Sequence, residues 1–238
     1  MRAARRLSGA ADPRDAWISV LALVALLGWE ASGLDLVVAG AYADVSGFAL
    51  RNNWWTEHLL HDGGRWLSAL ALLAYTGWAW HGRGAPPSMS RHARWAWLLA
   101  VLAGLILVPA LKRLSHTSCP WDLAAFGGSL PYVPHWLPTL IDGGPGHCFP
   151  SGHAAAAFAF LPLHFQWRAH RPALARGVLA AVLTIGALFG WAQLARGAHF
   201  PSHTLWSAWL CWVIGVLAAW IIDRRGHGPD RRPATVRV

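Results

Sequence analysis

The sequence predicts an all-α fold, a polytopic membrane bundle of six transmembrane helices forming one domain over residues 1–238. Three observations carry that prediction. Charged residues make up only 13% of the 238 residues while hydrophobic ones make up 55%, against about 25% charge in an ordinary soluble domain. The apolar residues come in blocks, which is the pattern of spans and not of a disordered chain. The chain also carries 17 tryptophans, several at block ends, where amphipathic rings favour the headgroup level of a bilayer.

The blocks cover residues 16–29, 66–80, 95–110, 154–167, 175–190 and 205–222. Several are shorter than the roughly 20 residues of a full crossing, so flanking tryptophans and neutral residues must complete them. Lipid offers the backbone no hydrogen-bond partner, so each block is expected to be a helix. The first follows Arg5, Arg6 and Arg14 as a signal peptide would. Five further blocks make an uncleaved anchor the better reading.

Basic residues set the orientation. With the N-terminus in the cytoplasm, only Arg51, Arg65, Lys112, Arg113 and Arg196 fall outside, which is the positive-inside pattern. An even number of spans returns the C-terminus to the cytoplasm. The tail 223–238, with Arg224, Arg225, Arg231, Arg232 and Arg237, suits either anionic lipid headgroups or a stop-transfer flank. The net charge of +9 does not point to nucleic acid, because the arginines sit in short segments with no soluble face between them. Of the outer segments, 30–65 mixes Trp54, Trp55, Leu59 and Leu60 with Glu57, His58, His61 and Asp62, which predicts a short helix lying in the interface. Segment 111–152 is the longest outer loop, broken repeatedly by Gly127-Gly128, Pro131, Pro134, Pro138 and 143–146.

Three chemically suggestive segments fall on this same outer side. Lys112 and Arg113 close the third block, Pro150-Ser151-Gly152-His153 opens the fourth, and Arg196 to His203 joins the fifth to the sixth. Ser151 suits a helix N-cap, and the N–H groups of such a helix start attract an anion that Gly152 lets approach closely. Plain capping of a membrane helix explains the same residues. His199 and His153 can divide nucleophilic and acid–base work on phosphorus, with Lys112 and Arg196 holding the phosphate oxygens. Interfacial histidines are also commonly structural. A zinc site from His199 and His203, joined by Cys148 or His147, is the weaker reading: Pro201 interrupts a regular helix through the pair, and no His-Glu-x-x-His motif is present. Neither a metal nor a cofactor is expected.

Cys119 and Cys148 both lie in the outer segments, where oxidation persists. A disulfide between them would clamp the Lys112 segment to the Pro150 segment. The alternative is two free, semi-buried thiols. Cys211 lies inside the sixth block and is expected to stay reduced.

These segments resemble the signatures of the type 2 phosphatidic-acid phosphatase superfamily, over a core from about residue 66 to 222. The first signature is Lys, six residues, then Arg-Pro, and here Lys112 is followed by Cys119-Pro120. The second, Pro-Ser-Gly-His, is matched throughout by residues 150–153. The third is Ser-Arg, five residues, His, three residues, Asp. His199 takes the histidine position, Gln193 that of the arginine and His203 that of the aspartate. The resemblance implies that His199 attacks phosphorus and that His153 protonates the leaving group and later activates water. It implies phosphate binding by Lys112, Ser151 and the Gly152 N–H, without a metal. Arg196 and Arg113 are expected to replace the lost arginines. Neutral His203 would accept a hydrogen bond from His199, with Gln193 structural and Asp122 or Asp142 supplying the missing carboxylate.

The implied function is a metal-independent phosphatase or phosphotransferase of a divergent membrane branch, placed in a bacterial inner membrane with its site on the periplasmic face. The expected partners are a membrane lipid phosphate or diphosphate substrate and anionic lipids. Undecaprenyl diphosphate, phosphatidylglycerol phosphate, phosphatidate and lipid A phosphates are all compatible substrates. The alternative class is a non-catalytic lipid-binding or assembly protein of the same fold.

Overall fold

The computed structural model describes residues 11–226 apart from Val45, Pro138 and Thr139. Most of the expected basic tail, residues 227–238, lies outside the described residues. Eight α-helices account for most of the remainder: α1 (Pro13–Ser32), α2 (Leu34–Gly40), α3 (Gly63–His81), α4 (Arg91–Leu114), α5 (Gly152–Phe158), α6 (Pro162–Arg168), α7 (Pro172–Ala195) and α8 (Pro201–Gly226).

Local chemistry starts these helices where the sequence changes character. Asp12 caps α1 by accepting from the Arg14 N–H at 2.9 Å, ahead of Pro13, whose missing N–H costs nothing in a first turn. Ser90 caps α4 by accepting from the Ala93 N–H at 3.1 Å. At the predicted cytoplasmic end, the buried Asp15 of α1 accepts two hydrogen bonds from the Arg168 guanidinium of α6, one at 2.9 Å. The Ala11 N–H reaches Asp223 of α8 at 2.9 Å. These ties hold α1, α6 and α8 together beside an apolar cluster of Trp97, Phe165, Val216 and Ala219.

Four of the described helices are long and apolar enough to cross a membrane: α1, α4, α7 and residues Pro201–Arg224 of α8. Six spans were expected, and the other two blocks take a different form. Block 66–80 lies inside the 19-residue α3, which begins with the polar turn Gly63-Gly64-Arg65 and is not among the four. Block 154–167 is two seven-residue helices, α5 and α6, with a turn between them. Pro162 opens α6 and cannot donate a backbone hydrogen bond, so the helix restarts there. The outer segment 30–65 holds α2, a two-residue hairpin pairing Ala43 with Phe48 and Asp44 with Gly47, and a π-helical stretch Trp55–Asp62 that runs directly into α3. A separate interfacial helix is therefore replaced by an upward extension of α3.

Helices α4, α5, α7 and α8 meet around Val108, Ala154, Ala155, Phe158, Leu161 and Cys211. The small residues of α5 let it sit deep between longer neighbours. A second cluster, with Ala39, Phe48, Leu123, Phe126, Leu194 and Phe200, packs α2, the hairpin and the 120–130 loop onto the α7–α8 connection. Outward faces carry large exposed apolar side chains, among them Trp17, Leu21 and Val24 of α1, Leu70 and Leu73 of α3, and Ile106 of α4. A water-soluble surface rarely gathers so many, whereas a lipid-facing one does.

Candidate active site

A cavity of about 660 Å³ opens at the predicted outer end, between α3, α4, α5 and α7. Lys112, Gly152, His153, Gln193, Arg196 and His199 all line it, so the three sequence segments converge on one space. Its opposite end is walled by Ala69, Leu72, Leu105, Ala155 and Ala156.

Ser151 is the N-cap of α5, as its position suggested, and its buried hydroxyl accepts from the Ala154 N–H at 3.4 Å. The hydroxyl thus serves the helix, and Ser151 is not part of the cavity wall. Its backbone fixes the site instead. The Ser151 N–H donates to the His203 carbonyl at 3.1 Å, and the Ser207 hydroxyl bridges the Ser151 and His203 carbonyls at 2.8 and 2.9 Å. The starts of α5 and α8 are therefore bolted together. His153, on the first turn of α5, is buried with Nε2 at 3.0 Å from the Leu60 carbonyl.

His199 sits on the short connection between α7 and α8. The N–H groups of Ala198 and His199 both return to the Gln193 carbonyl, at 2.8 and 3.3 Å, closing the end of α7. Gly197 holds φ at 73°, and a Cβ there would lie 2.3 Å from the Phe48 ring, so only glycine makes this turn. His199 Nδ1 lies 3.4 Å from His203 Nδ1. The His203 ring also hydrogen-bonds the Cys148 backbone. With one His203 nitrogen donating to that carbonyl, the other accepts from His199 Nδ1–H. Pro201 starts α8 after His199, so the two histidines do not share a helix.

Cys119 and Cys148 are joined in a disulfide with Cα atoms 5.2 Å apart. Cys148 lies beside the nucleophile candidate, its sulfur 3.7 Å from His199 Nδ1. Cys148, His199 and His203 place donor atoms within 4.8 Å of one another. The disulfide consumes the Cys148 sulfur, and the two remaining imidazoles face each other through Nδ1. That set falls short of the four ligands of a structural zinc site. Cys211 is a buried free thiol.

Other expected residues are elsewhere. Arg113 is exposed and does not line the cavity, because one residue along α4 turns the side chain about 100° from Lys112. Asp122 accepts from the Cys119 N–H at 3.3 Å. Asp142 accepts from the Ser118 N–H and hydroxyl at 2.8 and 2.9 Å and from the Gly144 N–H at 2.9 Å. Both carboxylates are spent on folding the long loop, and neither lines the cavity. Arg196 does line it, with Nε donating to the Arg51 carbonyl at 2.9 Å and Nη2 at 3.8 Å from Glu57. Gln193 is buried, and among the described residues its Nε2 has no hydrogen-bond partner.

The structure adds residues the motifs did not mark. Arg65, Asp62 and Glu57 line the cavity from the α3 side. Asp35 of α2 is buried and accepts from the Ser202 N–H at 3.0 Å, from the Ser202 hydroxyl, and from Trp29 Nε1 at 2.7 Å. Burial pushes its carboxyl pKa up against the opposing pull of these donors. It anchors the first turn of α8, one residue from His203. Its sequence signal was a lone acid among the apolar residues of 34–40.

The family model of the PAP2 superfamily matches residues 93–227, more than half of the chain. The chain belongs to the PAP2 superfamily. The match takes in α4 to α8 and all three signature segments, while α1 to α3 lie outside it. PAP2 membership points to phosphate-ester hydrolysis, and the four apolar helices mark this PAP2 protein as a membrane protein. A comparison with curated proteins finds no match, and a comparison with solved structures finds none.

Proposed function

We propose that this PAP2 protein is a metal-independent phosphatase or phosphotransferase of lipid phosphates or diphosphates. It acts at the outer face of a bacterial inner membrane through a phosphohistidine. One observation carries the lipid part of this reading. The cavity holding Lys112, His153 and His199 continues into an apolar wall of Ala69, Leu72 and Leu105. That wall adjoins α3 and α4, whose Leu70, Leu73 and Ile106 are exposed as lipid-facing residues. An amphiphile can enter sideways, leave its chain between the two helices and carry its phosphate up to the histidines.

His199 attacks phosphorus through Nε2, because Nδ1 is committed to His203. The His199–P bond forms as the bond from phosphorus to the leaving oxygen breaks, and the electron pair departs with that oxygen. His153 gives its proton to the oxygen, then takes one from the water or acceptor alcohol that displaces His199. Lys112, Arg196 and the Gly152 N–H hold the non-bridging oxygens. His203 offers His199 an acceptor without a charge, so the developing imidazolium is stabilised less than beside a carboxylate.

Purified protein in detergent with EDTA is expected to release inorganic phosphate from at least one of four substrates: undecaprenyl diphosphate, phosphatidylglycerol phosphate, phosphatidate or a lipid A phosphate. Lys112→Ala should lower that rate by about 10²-fold, the effect of losing one preorganised charge donor. No release from any of the four by folded protein would favour the non-catalytic lipid-binding reading.

A further inference from the structure

Besides Lys112 and Arg196, the cavity contains a cation that lies outside all three signature segments. Arg65 lines it from α3, outside the segment matched to the family. Among the described residues it has neither an ion pair nor a hydrogen-bond partner. Three contacts fix its place. Just before α3, the Leu60 carbonyl meets His153 Nε2 at 3.0 Å. Gly64 packs so closely on Phe189 that a Cβ would lie 2.6 Å from the ring. One turn on, the Ser68 hydroxyl donates to the Ala156 carbonyl at 2.8 Å.

Arg65, Ala69 and Leu72 follow one another at helical spacing and all face the cavity. Along this stripe the Arg65 backbone lies inward of Leu60, whose carbonyl meets His153, and about two turns short of Leu72. Leu72 is about 10 Å further along the axis. Arg65 therefore stands between the place of the reacting phosphorus and the place of the lipid chain. A lipid monophosphate puts only its ester oxygen and first carbons at that height. A lipid diphosphate puts its second phosphate there. Glu57 and Asp62, on the mouth side of Arg65, disfavour a phosphate pointing outward.

We propose that Arg65 makes the site selective for lipid diphosphates by binding the phosphate next to the chain. This rests on the phosphatase reading above. His199 attacks the terminal phosphorus, the bond to the bridging oxygen breaks, and the electron pair leaves with a lipid monophosphate. A phosphate monoester has a second pKa of about 6, so this group departs as an anion beside Arg65. An alkoxide from a lipid monophosphate must instead receive the His153 proton.

The test measures binding of two non-hydrolysable probes to purified protein in detergent, a prenyl methylenediphosphonate and a prenyl phosphonate. Wild-type protein is expected to bind the diphosphonate about tenfold to a hundredfold more tightly, the range of one charged hydrogen-bonded contact. Arg65→Gln should erase the difference while leaving phosphonate affinity within about twofold, and Arg65→Lys should keep part of it. A preference that survives in Arg65→Gln, equal losses for both probes, or a wild type without preference would each overturn the proposal. Arg65 is exposed, so an unchanged melting temperature is expected to accompany the change. Turnover is not read, so a failure of the phosphatase reading shows separately, as absent phosphate release alongside an intact diphosphonate preference.

Discussion

His199→Ala is expected to abolish phosphate release, with a fall of about 10⁴-fold or more, because the nucleophile itself is removed and no neighbouring group can take its place. His203 is turned to His199 and to the Cys148 backbone, and the Cys148 sulfur is held in the disulfide. His153→Ala should cost less, about 10²–10⁴-fold, since it removes proton transfer and not the attacking atom. The measurement is phosphate release by each purified variant, with elution volume and melting temperature confirming the fold. Full activity in His199→Ala would remove the nucleophile assignment.

The second large effect concerns the disulfide. Breaking it should destabilise the protein by roughly 3–4 kcal/mol, the chain-entropy value for a closed loop of this size. The consequence reaches the chemistry. Cys148 touches His199 through its sulfur and His203 through its backbone, and its N–H donates to the Thr117 carbonyl at 3.0 Å. Cys119 is itself part of the cavity wall. The double variant Cys119→Ser with Cys148→Ser, and wild-type protein in a strong thiol reductant, should both melt at lower temperature and lose most phosphate release. Re-oxidation should restore the reduced wild type and not the double variant. An unchanged melting temperature and rate in reductant would show that the clamp is dispensable.

The signature segments made much of the site legible. Ser151 as a helix cap, Gly152 and His153 on the turn behind it, and His199 opposite could be placed because each role follows from short-range chemistry. The resemblance, which puts His203 in the aspartate position, also implied its contact with His199, although Pro201 keeps the two off one helix. Arg113 was misplaced by the same short-range logic: charge adjacent in sequence to Lys112 points elsewhere on a helix. Asp122 and Asp142 looked available, but a loop so rich in glycine and proline needs side-chain acceptors for its own backbone, and both are used there. Arg65 and Asp35 were out of reach, because their positions depend on how α3 and α2 pack on residues more than eighty positions away.

The spans show the same limit. Hydropathy located each apolar block but not its continuity. Block 154–167 is apolar throughout, yet Pro162 divides it, and α5 can stay short because its alanines are buried among α4, α7 and α8. The polar start of α3 hid the π-helical turn above it, which brings the Leu60 carbonyl to His153.

The central claim is that a phosphoryl group passes through His199. It is tested most directly by mixing wild-type protein with a substrate labelled in its terminal phosphate, quenching during turnover in alkali, and mapping the label by peptide mass spectrometry. The account predicts label on the His199 peptide, stable in alkali, lost in acid and absent from His199→Ala. Turnover of the labelled substrate with no label on the protein, or with label on His153, would contradict it.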